Sequence, residues 1–312
     1  MTFLSCHFQS VGVHGCSKLS MRFTTTAPNP SRLEVDFPYA ASASFVRILN
    51  LHYTQHFRQQ LALIQNLRDL MENTPFLEAQ GLKAVENMPR PGAIKTHLPF
   101  HRVPYSPQAK YIFVARNPYD CCVSFYHHTR AFPAYRFADG SFDEFLSLFL
   151  QGRVDYGDYF DQLLSWYNHV HDENVLFITY EKLKVDPSAA VIKIADFLGD
   201  KYGNKLRKQP EVLERILDTI SVKTMMGLNV QLRRWTEEVA EMTALGGKCK
   251  PLNDEAADDL MKPMTGDFVR KAIVGDWKNH FSAEQIERMK ERIALKIQES
   301  TVMSLWEDVE LP

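Results

Sequence analysis

The sequence predicts a single α/β domain in which a central parallel sheet is flanked by helices on both faces. Two short runs of apolar, β-favouring residues, Tyr111 to Ala115 and Val175 to Thr179, are typical of buried strands. Each run is followed by helix-start signals, and a strand followed by a helix, repeated, is typical of a parallel sheet covered on both sides. The chain has 312 residues, of which 45% are hydrophobic, and this is enough for one large core.

The N-terminal part differs in composition from the rest. Residues 1–43 are rich in Ser, Thr, Pro and Gly, and we predict a divergent, poorly ordered segment there, with a loop from Thr24 to Arg32. Residues 44–312 form the predicted α/β domain. From Ser44 to Met71 the apolar residues recur at roughly helical spacing, which predicts one long or broken amphipathic helix.

Capping residues mark the starts of the later helices. Asn117, Pro118 and Asp120 stand in the order expected of an N-cap, a first helical proline and an acidic first turn. The same reasoning predicts three more helices: one from Ser141 and Glu144 to Gly152, one from Asp186-Pro187 to Gly199, and one that starts with Ser282 and Gln285.

Charge and cysteine content exclude several classes of protein. The formal net charge of −2 gives no overall bias toward nucleic acid or an anionic membrane, so we predict neither partner. The five cysteines are odd in number and lack metal-ligand spacing, which favours reduced thiols and no metal site. Neither a secretory signal nor a run near the ~20 apolar residues of a membrane span is present. We therefore predict a cytoplasmic protein.

The junction after the first predicted strand is suited to an anion. Arg116 ends the strand, and the helix that starts at Pro118 directs unpaired N–H groups and the positive end of its dipole toward whatever Arg116 holds. Ser124, two turns further along, can add a hydroxyl. Arginine is also the side chain best suited to bidentate phosphate contact.

Several stretches in fixed order carry a resemblance to a known family. KTHLPF (95–100) and FVARNPYDCCVSFYHH (113–128) are followed by three longer matching stretches, Ser141 to Tyr167, Val175 to Gly199 and Phe268 to Glu287. From about Thr74 onward the chain resembles the cytosolic sulfotransferases, whose fold is related to that of P-loop NTPases. The resemblance implies transfer of a sulfuryl group from 3′-phosphoadenosine-5′-phosphosulfate (PAPS), with release of 3′-phosphoadenosine-5′-phosphate (PAP).

The resemblance also assigns site residues. His97 matches the general base, a role that suits histidine because it titrates near neutrality, and Lys95 matches a residue that helps to hold the phosphosulfate. Arg116 and Ser124 match the residues that bind the 3′-phosphate. Tyr180 matches a nucleotide-contacting tyrosine, although a core position explains it equally well.

A second 3′-phosphate element is implied near the C-terminus. Arg270, Lys271 and Ala272 stand where the family has Arg-Lys-Gly, and alanine keeps the backbone N–H but loses the conformational freedom of glycine. Further on, the chain has a degenerate form of the family's dimerisation motif, which predicts a weak homodimer. Its members are Lys278, Ser282, Ala283 and Glu287.

One family element is missing. Active members carry a strand and a loop close to Tyr-Pro-Lys-Ser-Gly-Thr-Thr-Trp that cradles the 5′-phosphosulfate, and no such string is present. The nearest candidate, Gly12 to Lys18, lacks a clear preceding strand. Val222 also replaces an aromatic residue that stacks on adenine in the family. The sequence thus predicts a largely intact 3′-phosphate half and a largely absent 5′ half.

Three interpretations remain at this stage. The first is a sulfotransferase that acts on a hydroxyl or amine of a small hydrophobic acceptor: a phenol, alcohol, steroid or amine. The second is a catalytically impaired homologue that acts as a binding protein, and the third is a variant or incorrectly joined form of an active chain; a P-loop kinase fits worse. Candidates for lining the acceptor pocket, although equally suited to the core, are His127, His128, Phe132, Tyr135 and Phe137.

Overall fold

The computed structural model of the protein describes residues 33–36, 74–87, 92–227 and 264–312. The predicted helix from Ser44 to Met71 and the candidate loop from Gly12 to Lys18 lie outside the described residues. The predicted boundary after residue 43 stays a prediction. Residues 33–36, however, lie on its N-terminal side and belong to the central sheet.

The sheet of the described residues has four parallel strands in the order β2-β1-β3-β4. The strands are β1 (Leu33–Asp36), β2 (Ala93–Thr96), β3 (Lys110–Ala115) and β4 (Val175–Thr179). The parallel sheet and the strands β3 and β4 confirm the predictions. Strand β1 was not predicted, although it lies between β2 and β3.

Nine helices are named within the described residues. They are α1 (Leu77–Asn87, interrupted at Gly81), α2 (Pro118–Ala131), α3 (Phe142–Leu150), α4 (Tyr159–Tyr167), α5 (Tyr180–Val185), α6 (Pro187–Leu198), α7 (Asp200–Lys208), α8 (Pro210–Ile220) and α9 (Ala283–Lys296). Short 3-10 helices occur at Phe100–Arg102, Pro133–Tyr135, Asp276–Asn279 and Val302–Trp306.

The predicted capping interactions are present. The Asn117 side chain accepts a hydrogen bond from the Asp120 N–H at 2.9 Å, with Pro118 as the first residue of α2. Reciprocal capping boxes start α3 at Ser141 and α9 at Ser282. These side chains satisfy N–H groups that a helix start otherwise leaves without partners.

Alternation along the strands distributes the apolar side chains between two cores. On one face of the sheet, Ile112, Val114 and Ile178 pack with residues of α6, α7 and α8. On the other face, Phe113 and Phe177 pack with residues of α4 and the C-terminal 3-10 helix. Helices therefore cover both faces, as predicted.

The carboxyl ends of the strands lie at one edge of the sheet. Asp36 of β1 pairs in register with Thr96 of β2 and with Phe113 of β3, so the three strands end within two residues of one another. Ligands bind at this edge of open parallel sheets. Among the described residues, no helix is long and apolar enough to cross a membrane.

Candidate active site

Predicted site residues follow three of the four strands at this edge. His97 follows β2 directly, Arg116 follows β3 and Tyr180 follows β4. Because the strands are parallel, these residues emerge on the same side of the molecule. The topology thus brings together residues that lie more than eighty positions apart in the sequence.

His97 is buried, with 3% of its surface exposed. Its backbone N–H donates to the Glu78 carboxylate, and its backbone carbonyl oxygen accepts a hydrogen bond from Gln162 Nε2 at 2.8 Å. The imidazole stacks on Tyr156, with ring centroids 4.3 Å apart, and meets the edge of Phe76 at 5.0 Å. These contacts hold the ring in one orientation.

Electrostatics keep the His97 imidazole neutral. Burial is the main cause that lowers the pKa of His97 well below its usual 6.5, and the nearby charge of Lys95 adds to the effect. The Lys95 ammonium lies 4.7 Å from the centre of the Phe76 ring. A neutral imidazole can accept a proton, which is what a general base must do.

Arg116 borders a cavity of about 600 Å³ that also takes in the other predicted 3′-phosphate residues. Ser124 of α2 lines it, as do Arg270, Lys271 and Ala272 of the C-terminal segment. The structure therefore brings all five residues together from segments about 150 positions apart. His127, His128 and Phe132 line this same cavity, although the sequence had suggested an acceptor pocket for them.

The Arg116 guanidinium is oriented but retains a donor. Its side chain is buried, packs over the Tyr180 ring at 4.7 Å and donates to the Ile273 carbonyl at 3.0 Å. Its Nε is buried with no hydrogen-bond partner among the residues that the structure describes. A buried donor without an acceptor is costly, and a phosphate oxygen would satisfy it. The residues present thus fit a phosphate group.

Asp276 organises the two cations of the C-terminal element. Its carboxylate, 1% exposed, accepts hydrogen bonds from Arg270, from Lys271 at 2.8 Å and from Asn279 at 2.9 Å. These partners outweigh the effect of burial and hold the pKa of Asp276 well below its usual value. Asp276 therefore stays ionised and fixes both cations at the cavity. This role depends on contacts of the folded chain and does not follow from the motif around Asp276.

A second buried carboxylate joins this loop to α2. Asp120 Oδ2 accepts from the Gly275 N–H at 2.7 Å, and Asp120 Oδ1 accepts from the Trp277 N–H at 3.0 Å. Asn117 links the same carboxylate to Glu181, to which its side-chain nitrogen donates at 2.7 Å. Asp120 had been predicted only as a first-turn acid, because a sequence does not reveal contacts with a segment 155 residues away.

Ala272, which stands where the family has glycine, has a left-handed backbone conformation. Its φ is +54°, in the left-handed region that residues with a Cβ rarely occupy. The predicted loss of conformational freedom is thus visible as local strain, while the position of the residue on the cavity wall is kept.

Tyr180 is placed differently from the other predicted residues. It is buried in the core with Ile178, Ala190 and Ile194, and its ring supports the Arg116 guanidinium. It is not among the residues that line the cavity beside Arg116. Its contact with Arg116 makes it a positioning residue, and any contact with a nucleotide stays a prediction.

A second cavity, of about 550 Å³, opens beside His97. Its walls are mainly apolar and aromatic, and the polar side chains among them include His97, Asp155 and Gln162. The lining side chains that are aromatic are Phe113, Phe125, Phe149, Tyr156 and Tyr159. Sequence reasoning did not find this cavity, because its residues come from the end of β2, from β3, α2, α3 and α4, and from the segment between α3 and α4.

Strand β1 indicates which residues stand in place of the missing phosphosulfate loop, because in the family this loop follows a strand. The residues that follow β1 in the sequence are Phe-Pro-Tyr-Ala-Ala-Ser-Ala-Ser (37–44), against Tyr-Pro-Lys-Ser-Gly-Thr-Thr-Trp in the family. The aromatic-proline pair is shared, whereas Tyr39 replaces the lysine and Ala41 the glycine. This pair after a four-residue strand was the signal that sequence reasoning missed.

Comparison with known proteins agrees with this arrangement. A family profile described as the sulfotransferase domain matches residues 44–301, and so begins upstream of Thr74, where the recognisable motifs start. An amine sulfotransferase of Oryctolagus cuniculus is 28% identical over 88% of this chain and 82% of its own length. Human sulfotransferase 1E1 is 31% identical over 75% of this chain and 73% of its own length.

Solved structures give the same result. The crystal structure of mouse sulfotransferase SULT7A1 complexed with PAP is similar, with a TM-score of 0.61, 25% identity and coverage of 90% of this chain and 88% of that one. Retinol dehydratase in complex with androsterone and PAP shares the fold, with a TM-score of 0.65 at 18% identity, over 88% of this chain and 83% of its own. The chain belongs to the sulfotransferase family, whose members transfer a sulfuryl group from PAPS to a small acceptor.

Proposed function

We propose that this chain transfers a sulfuryl group from PAPS to a hydroxyl or amine of a small hydrophobic acceptor. The observation that carries the proposal is the convergence of Arg116, Ser124, Arg270 and Lys271 on one cavity, with His97 at the end of β2 on the same edge of the sheet. The cationic wall suits the 3′-phosphate, and the apolar cavity beside His97 suits the acceptor.

In this proposal the 3′-phosphate is held by charge and by oriented donors. Arg116, Arg270 and Lys271 supply positive charge, Ser124 a hydroxyl and Ala272 a backbone N–H. Asp276 holds the two C-terminal cations, and Tyr180 supports Arg116 from below. Binding of the nucleotide's 3′-phosphate in this cavity would position the sulfuryl group at the other end of the nucleotide near His97. His97 itself would not contact the 3′-phosphate.

The transfer itself is an in-line displacement. The acceptor oxygen or nitrogen forms a bond to sulfur while the bond from sulfur to the 5′-phosphate oxygen breaks, and PAP leaves. His97 takes the proton of the acceptor, and the Lys95 ammonium stabilises negative charge that develops on the transferring group. No step of this scheme uses a metal ion.

A second candidate function is a catalytically impaired homologue that binds nucleotide or acceptor. Three replacements favour it: Tyr39 and Ala41 in place of the family's lysine and glycine, and Val222 in place of a stacking aromatic. A lost stack removes about 1 to 3 kcal/mol, with bases on single strands as the guide. The cationic wall fits both functions, but the buried His97 at the end of β2 weighs against the second, because a binding protein needs no general base.

The surroundings of the enzyme are part of the proposal. We propose a cytoplasmic protein with no membrane or nucleic-acid partner. A weak homodimer through the segment from Lys278 to Glu287 stays a prediction. In this structure Lys278 contacts Glu310 at 2.6 Å, and Ser282 caps α9, so both residues also have contacts within the chain.

The test is a transfer assay with radiolabelled PAPS and a panel of phenols, alcohols, steroids and amines. We expect labelled product from the wild-type chain and a loss of kcat of at least about 100-fold in His97→Ala, because general bases contribute about 10²- to 10⁴-fold. His101→Ala, an exposed histidine four positions further along, is the control. A folded chain that binds PAP but yields no product with any acceptor would establish the impaired homologue instead.

A further inference from the structure

Asp155 is an acidic side chain in a cavity that is otherwise mostly apolar. The cavity beside His97 has aromatic walls that include Phe125, Phe149 and Tyr156, and Asp155 is its acidic lining residue. Its Oδ2 accepts a hydrogen bond from the Tyr135 hydroxyl at 2.5 Å. In the part of the chain that the structure describes, no lysine, arginine or histidine forms an ion pair with it.

The position of Asp155 is energetically unfavourable for a carboxylate. Burial raises the pKa of Asp155 above its usual value, and the hydrogen bond from Tyr135 offsets this only in part. An ionised carboxylate on the surface would not have this desolvation penalty, whereas the Asp155 carboxylate has it. A bound cation would supply the missing compensation.

The backbone next to Asp155 is strained as well. Tyr156 has a φ of +64°, which is unusual for an aromatic residue. This conformation places the Tyr156 ring flat against His97 at 4.3 Å, while Asp155 faces the same cavity. Strained residues persist where surrounding contacts fix them, and they concentrate at functional sites. The adjacent residues Asp155 and Tyr156 therefore bring a carboxylate and a ring that contacts the predicted base to the same cavity.

We propose that Asp155 selects acceptors that carry a protonated amine in addition to the hydroxyl that is sulfated. The ammonium group would contact the Asp155 carboxylate, and the aromatic walls would contact the body of the acceptor and add cation–π attraction. A protonated amine has no free electron pair, so the reacting group is the hydroxyl. Its oxygen bonds to sulfur, its proton passes to His97, and PAP leaves with the electron pair of the broken sulfur–oxygen bond.

This inference rests on the proposed function, and it is tested with a matched pair of acceptors. The first, 4-(2-aminoethyl)phenol, carries a protonated amine; the second, 4-propylphenol, has the same shape without charge. We expect Asp155→Asn to lower the ratio of the two kcat/KM values at least tenfold, mainly through the KM of the amine. Asparagine still accepts the hydrogen bond from Tyr135, so the fold is preserved.

Two further variants separate recognition from structure. Tyr135→Phe removes the hydrogen bond but keeps the carboxylate, so it should retain the preference for the amine. Asp308→Asn changes an exposed acid near the C-terminus and controls for loss of one negative charge. An equal fall with both acceptors in Asp155→Asn, or the same ratio in Tyr135→Phe and Asp155→Asn, would mean that Asp155 is structural and would overturn the proposal.

A binding measurement keeps this test independent of turnover. In the presence of PAP, calorimetric titration with 4-(2-aminoethyl)phenol should give a Kd at least tenfold tighter for the wild type than for Asp155→Asn. Equal binding in the two chains would overturn the role of Asp155. Loss of turnover with intact, Asp155-dependent binding would instead contradict only the proposed transferase function.

Discussion

At the scale of single residues, Ala272 shows how one side chain alters an otherwise preserved site. The backbone takes a left-handed turn there, with a φ of +54°, even though alanine pays for this conformation with steric strain between its Cβ and the neighbouring carbonyl. Arg270 and Lys271 just before it remain attached to Asp276. The loop therefore keeps its conformation, because the contacts of Arg270 and Lys271 with Asp276 stabilise it by more than the strain at Ala272 destabilises it.

Replacement of Ala272 by glycine should relieve this strain. We expect Ala272→Gly to raise the free energy of unfolding by about 0 to 1 kcal/mol, since relief of about 1 to 2 kcal/mol is offset by the greater entropy of glycine in the unfolded chain. PAP binding should become tighter. Urea denaturation and calorimetry measure the two effects.

The matched control is Ala294→Gly in the exposed part of α9, where glycine should cost about 1 kcal/mol. If Ala272→Gly destabilises the chain as much as Ala294→Gly does, the left-handed conformation at Ala272 is not strained.

The pH dependence of turnover tests the environment of His97. The base must be neutral to act, and burial together with Lys95 holds its pKa well below 6.5. Activity should therefore stay level as the pH falls from 8 to 6.5 and decline only at lower pH. In Lys95→Met the pKa of His97 should rise, so the acid limb of the kcat/KM profile should move toward neutrality.

Lys110→Met is the control for this profile, because Lys110 lies at the opposite end of β3. Half-loss of activity at or above pH 6.5 in the wild-type chain would contradict the account of His97. An unchanged acid limb in Lys95→Met would remove Lys95 as a cause of the pKa shift.

Motif residues could be placed from the sequence because they are local in the chain. The caps at Asn117 and Ser141 depend on neighbours within a few positions and are present as predicted, whereas His97 and Arg116 lie at strand ends and their roles stay predictions. The roles of Asp276 and Asp155 could not be derived, because they depend on side chains and cavities that only the folded chain brings together.

At the scale of elements, the site depends on how the loop before α9 attaches to α2. The Asp120 carboxylate receives the N–H groups of Gly275 and Trp277, and Trp277 packs against Tyr119 with ring centroids 5.5 Å apart. The loop carries Arg270 and Lys271, whereas α2 carries Ser124 and follows Arg116. Asp120 thus helps to align the two halves of the cationic wall, together with the hydrogen bond from Arg116 to the Ile273 carbonyl.

Asp120→Asn should disturb both stability and nucleotide binding. The amide has one acceptor oxygen, so one of the two loop N–H groups would face the amide nitrogen and lose its partner. We expect a loss of about 2 to 3 kcal/mol in the free energy of unfolding, since hydrogen bonds to charged groups contribute about 1.5 to 3 kcal/mol. PAP affinity should fall as well.

Asp161→Asn serves for comparison, because Asp161 is largely exposed and pairs with Lys296 on the surface. Exposed ion pairs contribute about 0 to 1 kcal/mol. If the two variants lose the same stability, Asp120 does not anchor the loop.

The helices that were predicted from their caps, α2, α3, α6 and α9, are present. The helix that was predicted from periodicity lies outside the described residues, and the failure to predict strand β1 has a physical reason. Strand β1 has only four residues, Leu-Glu-Val-Asp, with no continuous apolar run. Its own residues do not show a strand pattern, and the signals that could have revealed it are the Phe37-Pro38 pair that follows it and its pairing with β2 and β3. The predicted boundary after residue 43 was drawn from composition, which carries no information on sheet pairing.

At the scale of the whole molecule, two cavities lie at the carboxyl edge of the sheet, and His97 lines one of them. The cationic cavity contains Arg116, and the aromatic cavity contains His97. Burial is the main cause that lowers the pKa of His97 in one cavity and of His128 in the other, and the charge of Lys95 adds to the effect on both. A phosphorylated nucleotide on one side and a hydrophobic acceptor on the other can thus meet at the strand ends.

Residues near the C-terminus also stabilise this arrangement. The buried Trp306 donates from Nε1 to Glu181 Oε2 at 2.7 Å, and Glu181 in turn receives the N–H of Asn117 at 2.9 Å. The last turn of the protein is therefore connected to the start of α2 through one buried carboxylate. Residues near position 306 support a site formed near position 117.

The central claim is that the cavity beside Arg116 binds a 3′-phosphate. The most direct measurement is calorimetric titration of the purified full chain with PAP and with adenosine 5′-monophosphate, which lacks that phosphate, for the wild type and for Arg116→Ala. We predict micromolar binding of PAP, at least tenfold tighter than that of the monophosphate, and loss of this preference in Arg116→Ala. A folded wild-type chain that binds neither nucleotide, or that binds both equally, would contradict the account.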